Sequence, residues 1–167
     1  MQTTSARPVC GMDGSIERIV ETYGNMLFRI CLVTLGNEAD AEDALQDTLI
    51  KYLYKAPSFR DTEHEKAWLI KVAVNQCRDA ARAQRKRAAY ETESIKPTYA
   101  ARESGPIIHA LMTLPDKFKS VLTLHYVEEY KVEEIAKMVG ASASAVKMRL
   151  QKGRKLLEEA YRKELTQ

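Results

Sequence analysis

Polar and basic side chains recur on one side of the last helical segment of the chain, near residues 143–157. An α-helix fits the major groove of DNA, where Lys and Arg donate hydrogen bonds to phosphates and to guanine acceptors. A solvated charged face is the alternative interpretation, because such faces are common. The Gly140-Ala141-Ser142 turn before the segment favours DNA recognition. The candidate duplex-contacting residues are Ser144, Lys147, Met148, Arg149, Gln151, Lys152 and Arg154.

A second set of hydrogen-bond donors lies on the long third helical segment. Its members recur at three- and four-residue steps, so they share one side of a helix. Phe59, Arg60 and Trp68 lie nearby in the sequence, and aromatic rings with guanidinium groups suit unstacked bases. Taken alone, Trp68 is better explained as a core residue. The candidate single-strand-contacting residues are Phe59, Arg60, Trp68, Lys71, Asn75, Arg78 and Arg82, with Arg85 continuing the row.

Acidic side chains predominate in the second helical segment, which begins near Glu38. Carboxylates are favourable near a helix N-terminus, and this explains the first few of them. It does not explain Asp47, which lies one turn beyond Asp43 on an outer face. An acidic patch beside DNA-contacting helices predicts a protein partner. The candidate docking residues are Asp43, Gln46, Asp47 and Ile50.

Neither the three cysteines nor the three histidines have the spacing of metal ligands. Cys10, Cys31 and Cys77 lack a C-x-x-C pair and are odd in number, which argues against a disulfide framework and fits a reducing cytosol. We therefore expect no cofactor and no metal site. The N-terminus lacks a basic stretch followed by an apolar run, and no segment approaches the roughly 20 apolar residues that span a bilayer. The expected location is cytoplasmic, without membrane insertion.

Local signals divide the first part of the chain into three helices. The hydrophobic content of 45% with 29% charged residues is ordinary for a globular protein, and the net charge of +3 is too small to establish a nucleic-acid partner. Gly36 ends the first helix, Asn37 caps the second and Pro57 stops it. Thr62 and Glu65 have the spacing of a capping box for the third.

Helical periodicity disappears between Ala88 and Pro106, where the composition is that of a flexible connector. A second helical block follows, in which Gly140 supplies a tight turn and Ser142 the cap of the last helix. The predicted fold is all-α, with two small helical domains joined by a flexible linker, the second of them a helix-turn-helix. The predicted boundaries are a tail at 1–14, a first domain at 15–87, a linker at 88–106 and a second domain at 107–167.

The motifs of the first block resemble the extracytoplasmic-function (ECF) group of bacterial sigma factors. The run DAEDALQD at 40–47 is similar to the helix with which that family binds the RNA polymerase clamp. Ser58-Phe59-Arg60 followed by Trp68-Leu69 resembles the segment that melts the promoter. Asn75, Asp79 and the basic cluster after them fit as well. The resemblance implies that the docking residues contact core RNA polymerase and that the single-strand set captures the minus-ten element.

The second block extends the resemblance, which covers most of the chain from Tyr23 onward. Leu114-Pro115, EEIA at 133–136 and VKMRL at 146–150 are similar to the family's helix-turn-helix, which reads the minus-thirty-five element. The resemblance implies a non-enzymatic transcription initiation factor that binds promoter DNA, lacks the intervening domain of housekeeping sigma factors and takes an anti-sigma factor as a partner.

Two departures from the family pattern concern the second block. Ser144-Ala145 and Met148 stand where the family often has Gly-Thr and Ser, which leaves the base preference open. Lys131 replaces the hydroxyl residue that usually caps the first helix of the motif, at an expected cost of about 1 kcal/mol.

Two other functions remain as alternatives at this point. A dimeric helix-turn-helix repressor would bind palindromic half-sites one helical turn apart and would need no polymerase. A metal-dependent nuclease would use the acidic residues of the second helix as magnesium ligands. Those ligands would be Asp40, Glu42, Asp43 and Asp47.

Overall fold

The computed structural model describes residues 15–88 and 105–166, which contain seven α-helices and no strand. The predicted all-α fold is confirmed. The helices are α1 (Ser15–Leu35), α2 (Glu38–Lys55), α3 (Thr62–Ala88), α4 (Pro106–Met112), α5 (Asp116–Tyr126), α6 (Val132–Val139) and α7 (Ala143–Glu164). The predicted linker at 88–106 falls largely outside the described residues. None of the described helices is long and apolar enough to cross a membrane.

Several helix ends follow the local signals of the sequence. Gly36 adopts a left-handed conformation with φ of 79°, and its amide donates to the Leu32 carbonyl at the end of α1. The Asn37 side chain accepts from the Asp40 amide, and the Ser142 hydroxyl accepts from the Ala145 amide at 3.1 Å. Both residues are therefore the N-caps that the sequence predicts.

The predicted capping box of α3 is wrong. Asp61 caps the helix instead, because its carboxylate accepts from the His64 amide at 2.7 Å. Glu65 does not reach back to the helix N-terminus, since its carboxylate turns inward to Arg18 and Tyr52. Tertiary pairing of the buried Glu65 carboxylate with the Arg18 guanidinium and the Tyr52 hydroxyl thus overrides the local capping pattern.

The cap of α6 differs from a complete capping box. Glu134 accepts a hydrogen bond from the Lys131 amide at 2.8 Å, whereas the Lys131 side chain makes no capping hydrogen bond. Only one of the two reciprocal bonds is therefore present, as the missing hydroxyl predicts.

The first domain is a three-helix unit built around α1. Leu27, Ile30, Leu69 and Ile70 are fully buried and lie on α1 and α3, while α2 contributes the small side chain of Ala41. Apolar residues at three- and four-residue steps produce these buried stripes and leave the polar residues outside. The orientation of each outer face is thus fixed by the core behind it.

Two cysteines that are distant in the sequence meet in this core. Cys31 and Cys77 are both buried and unoxidised. A hydrogen bond with Cys31, together with burial, raises the pKa of the Cys77 thiol. Buried thiols of this kind are chemically inert, so the pair acts as apolar core packing.

The second domain consists of α4 to α7, and its buried residues join those of the first domain in one hydrophobic core. Val121, Leu124, Ile135 and Val146 are fully buried between α5, α6 and α7. Gly153 allows α7 to lie close to α5, because a Cβ atom at this position would be only 3.2 Å from Leu122 Cδ1. The sharp turn between α6 and α7 depends on Gly140, whose φ is 64°.

The two domains pack against each other through α1, α3, α5 and α6. The Arg29 guanidinium pairs with the Glu128 carboxylate at 2.8 Å, and Arg85 lies 3.4 Å from Asp116. Arg78 donates a hydrogen bond to the carbonyl of Val139 at 2.9 Å. These polar contacts join the two domains, with α3 facing the helix-turn-helix. We call this the closed arrangement.

A network of hydrogen bonds around one buried carboxylate joins the three helices of the first domain. Glu65 on α3 is only 6% exposed and accepts two hydrogen bonds from Arg18 on α1, at 2.7 and 3.0 Å. The Tyr52 hydroxyl on α2 donates to the same carboxylate at 2.6 Å. Burial alone would raise the pKa of Glu65, but the hydrogen bonds from Arg18 and Tyr52 and the charge of Arg18 lower it below the ordinary value.

The replacement Glu65→Gln should lower the free energy of unfolding by about 1–3 kcal/mol at neutral pH, because charged hydrogen bonds are lost. Since the folded pKa of Glu65 is lowered, its contribution is present above the ordinary value of 4.5 and is lost as the pH falls through the folded pKa. The variant should therefore show a weaker loss of stability in acid. Urea denaturation across this pH range measures both effects.

The control for this experiment is Glu63→Gln, which makes the same change at an exposed position of α3. We expect its unfolding free energy to stay within about 0.5 kcal/mol of the wild type. Equal effects of the two replacements would show that the buried network does not contribute specifically to stability.

Candidate nucleic-acid and protein interfaces

The outer face of α7 is exposed and continuous. Its central residues follow one another at steps of four, three and four, so they lie in one row along the helix. Met148, in the middle of this row, is 70% exposed. The opposite side of the helix is buried through Val146, Leu150 and Gly153. The central row consists of Ser144, Met148, Gln151 and Lys155.

Cations flank this row on both sides. Lys147 and Lys152 are exposed, and Arg154 is exposed while donating to the Tyr126 hydroxyl at 3.0 Å. Arg149 differs from the other candidates because it is half-buried, on the side of α7 nearer the core. The structure therefore brings six of the seven candidate residues to one exposed surface and places Arg149 at its edge.

The donor row of α3 lies on the side that faces the second domain. Lys71, Arg78 and Arg82 are exposed, and Asn75 is half-buried. Arg78 is already engaged by the Val139 carbonyl at the end of α6. The structure thus brings the predicted donors together but uses Arg78, and Arg85 at the end of the row, for domain packing.

An aromatic cluster lies at the N-terminal end of α3. Phe59 stacks on Tyr52 with ring centroids 6.1 Å apart and meets Trp68 edge-on at 5.8 Å. Phe59 and Trp68 are both half-buried, whereas Arg60 is exposed. Trp68 thus combines the two roles considered from the sequence, since it packs on the core and keeps part of its surface accessible.

A groove of about 450 Å³ separates this cluster from the second domain. Sequence reasoning did not identify the residues of its second-domain wall. Tyr130 is the most unusual of them, because its hydroxyl is buried without a hydrogen-bond partner among the described residues, and burial raises its pKa. Lys66 Nζ lies 5.2 Å from the centre of the Tyr130 ring. The main lining residues are Arg60, Trp68, Lys71, Tyr130, Glu134, Lys137 and Met138.

The candidate docking residues lie on the exposed face of α2. Asp43, Gln46 and Asp47 are exposed, and Ile50 is 51% exposed. Two further exposed apolar side chains continue this face, namely Leu53 and Tyr54, the latter 80% exposed. The surface therefore combines carboxylates at one end with apolar side chains at the other.

Asp40 does not belong to this exposed face. Its carboxylate accepts hydrogen bonds from Asn37 and from Gln84 of α3, so it fixes the start of α2. In the described ranges 15–88 and 105–166, no group of three or more His, Cys, Asp or Glu side chains has the arrangement of a metal site.

Two families match successive parts of the chain. The family described as Sigma-70 region 2 matches residues 19–87, and the family described as Sigma-70, region 4 matches residues 104–157. The sigma factor SigV of Bacillus subtilis is 30% identical over 141 residues, which cover 82% of this chain and 85% of SigV. The ECF sigma factor SigW of the same organism is 27% identical and covers 88% and 87%. The chain belongs to the ECF sigma factors of the sigma-70 family.

Solved structures share this fold. A complex of the sigma factor RpoE with the anti-sigma factor NepR from Bartonella quintana matches with a TM-score of 0.75 and 20% identity, covering 89% of this chain and 97% of RpoE. CnrH in complex with the cytosolic domain of CnrY matches with a TM-score of 0.60 and 22% identity, covering 87% and 86%. These similarities to solved structures support the fold of this chain.

The family decides between the functions that the sequence left open. Sigma factors are non-enzymatic initiation factors that act with RNA polymerase at promoters, so this chain directs transcription initiation and is not a nuclease. Nothing in the comparisons supports the repressor alternative.

The contact between the two domains can be tested by exchanging the charges of the Arg29–Glu128 ion pair. Arg29→Glu would place a carboxylate beside Glu128, whose side chain is 8% exposed, and like charges at this separation repel. The domains should therefore separate, and the radius of gyration from small-angle X-ray scattering should increase. The matched control is the double exchange Arg29→Glu with Glu128→Arg, which should restore the compact form. An equally compact single variant would show that this pair does not hold the domains together.

Proposed function

We propose that this chain binds core RNA polymerase through the exposed face of α2 and engages promoter DNA through α3 and α7. The observation that carries the proposal is the presence of three chemically different exposed surfaces on one small helical chain. One is acidic and apolar, one is a row of donors beside aromatic rings, and one is a helix with cationic flanks. Each surface suits a different part of an initiation complex.

The α2 surface suits a protein partner that has a basic region beside an apolar one. Asp43 and Asp47 attract such a partner and set its orientation, while Ile50 and Tyr54 offer apolar area that is removed from water on docking. Leu53 and Tyr54 therefore extend the docking surface beyond the residues that the sequence identifies.

The first-domain DNA surface suits a melted minus-ten strand. Bases that leave the duplex can stack on the accessible parts of Phe59 and Trp68, and Arg60 provides a cation beside them. Lys71, Asn75, Arg78 and Arg82 would then hold the strand through its phosphates and base edges. These contacts offset the free energy that is needed to unstack the bases as the promoter opens.

The closed arrangement limits access to this surface. Arg78 is bound to the second domain, and Lys71 lines the groove between the domains. We infer that the domains separate before a promoter strand reaches α3. An anti-sigma factor that favours the closed arrangement would keep the chain inactive. We propose an anti-sigma partner because RpoE, which shares this fold, was solved in complex with the anti-sigma factor NepR. We propose a cytoplasmic location, because the chain would meet core RNA polymerase and promoter DNA there.

The role of α3 in promoter opening can be tested with Lys71→Ala combined with Arg82→Ala. The open fraction of a duplex promoter should fall about tenfold or more, since a charged hydrogen bond contributes about 1.5–3 kcal/mol. Permanganate footprinting measures the opening. A pre-melted template should partly rescue the variant.

The matched control for this test is Arg87→Ala, which removes a cation from the last turn of α3 outside the three- and four-residue steps of the donor row. It should leave opening unchanged. Equal defects of the double variant on duplex and pre-melted templates would favour a role in strand capture or folding over one in opening.

The polymerase-docking role of α2 can be tested by charge reversal with Asp43→Lys and Asp47→Lys. Both side chains are exposed, so the fold should be retained, as circular dichroism would show. Association with core polymerase should weaken about 100-fold or more, because like charges facing a basic partner cost several kcal/mol. Pull-down with core enzyme at several concentrations measures this loss.

The matched control reverses two exposed carboxylates with the same spacing on α1, by Glu17→Lys and Glu21→Lys. The two double variants have the same net charge, so only the position of the reversal differs. Normal polymerase binding by the α2 variant, or an equal loss in the α1 variant, would contradict docking through α2.

A further inference from the structure

Met148 is an apolar side chain on an otherwise polar face. It is 70% exposed, and its neighbours one turn away along the face are Ser144 and Gln151. Its side chain contributes nothing to the core of the second domain, which α7 meets through its opposite side. Single exposed apolar residues are common on protein surfaces, so the exposure of Met148 alone does not indicate a function.

That position is the centre line of the helix, between cationic flanks. Val146, Leu150 and Gly153 are buried behind it, while Lys147 and Lys152 are exposed on either side. When a helix lies in the major groove, flanking cations meet the phosphates and the central residues point at the base edges. With α7 in a major groove, Met148 would point at the floor of the groove, near the N-terminal end of the helix that reaches it most directly.

The chemistry of the groove floor restricts what Met148 can contact there. Each base pair presents hydrogen-bond donors and acceptors, and thymine alone adds an apolar group, the C5-methyl. A thioether side chain donates no hydrogen bond and adapts its shape to apolar surfaces. Opposite a purely polar base edge it would displace water without replacing the hydrogen bonds, which is unfavourable.

We propose that Met148 contacts the methyl group of a thymine in the upstream promoter element and is a specificity-determining residue of this chain. The inference rests on the proposed function of α7 as the DNA-recognition helix. It gives this chain a preference for thymine at the base pair that Met148 contacts. Met148 is one of the residues that depart from the family pattern.

The test uses the full-length chain with core RNA polymerase. The upstream element is first selected from a pool of promoters randomised in that region. Each thymine of the selected element is then replaced, one at a time, by deoxyuridine, which removes only the methyl group. At one position the replacement should weaken promoter binding about three- to fivefold, the effect of losing one buried methyl group.

Three variants identify the side chain that senses the methyl group. Met148→Ala should bind the thymine and deoxyuridine promoters equally, because the contact is gone. Met148→Leu keeps an apolar side chain and should retain part of the preference. Lys152→Ala removes a flanking cation and should weaken binding to both promoters by the same factor, so that their ratio stays as in the wild type.

Three results would overturn the inference: a selected element without thymine, equal binding of every deoxyuridine promoter by the wild type, or an undiminished preference in Met148→Ala. Failure of the proposed function has a different signature. In that case the chain would select no DNA sequence together with core polymerase, and the inference would fail with it. If a promoter is selected but no thymine methyl group affects binding, the inference about Met148 fails while the proposed function stands.

Discussion

The buried carboxylate of Glu65 is the constraint on which the first domain depends. A buried charge is tolerated only when it is paired and hydrogen-bonded, and its partners Arg18 and Tyr52 come from the other two helices. The three helices can therefore pack only in an arrangement that brings all of these groups together. The loop from α2 to α3 is held at both ends by this network, and it carries Phe59 and Arg60.

The sequence predicts the helices well because their signals are local. Gly36, Asn37 and Ser142 act within four residues of their own position, and apolar periodicity identifies which side of a helix is buried. The same local pattern misleads at Thr62 and Glu65, since a Glu in the first turn of a helix can either turn back to the helix N-terminus or pair with a group on another helix. The competing partner, Arg18, lies on a different helix, which no local pattern can indicate.

The sequence predicts which residues lie on a candidate surface where a clear buried stripe on the same helix determines the exposed side. The exposed placement of Asp43 and Asp47 follows from a buried stripe on the opposite side of α2. Arg149 lies at the border between the buried and exposed sides of α7, where helical periodicity gives no clear assignment. The engagement of Arg78 by a backbone carbonyl could not be predicted, because a row of donors has the same pattern whether it faces DNA or another domain.

Gly153 has a consequence that extends from the core to the surface. With no side chain at this position, α7 lies close to α5 against Leu122 and Phe118, and any Cβ there would press on Leu122. The distance between the two helices determines how far the outer face of α7 stands out from the body of the domain. The depth to which α7 could enter a DNA groove is thus set at its buried side, and a wider spacing would bring the same lysines to different phosphates.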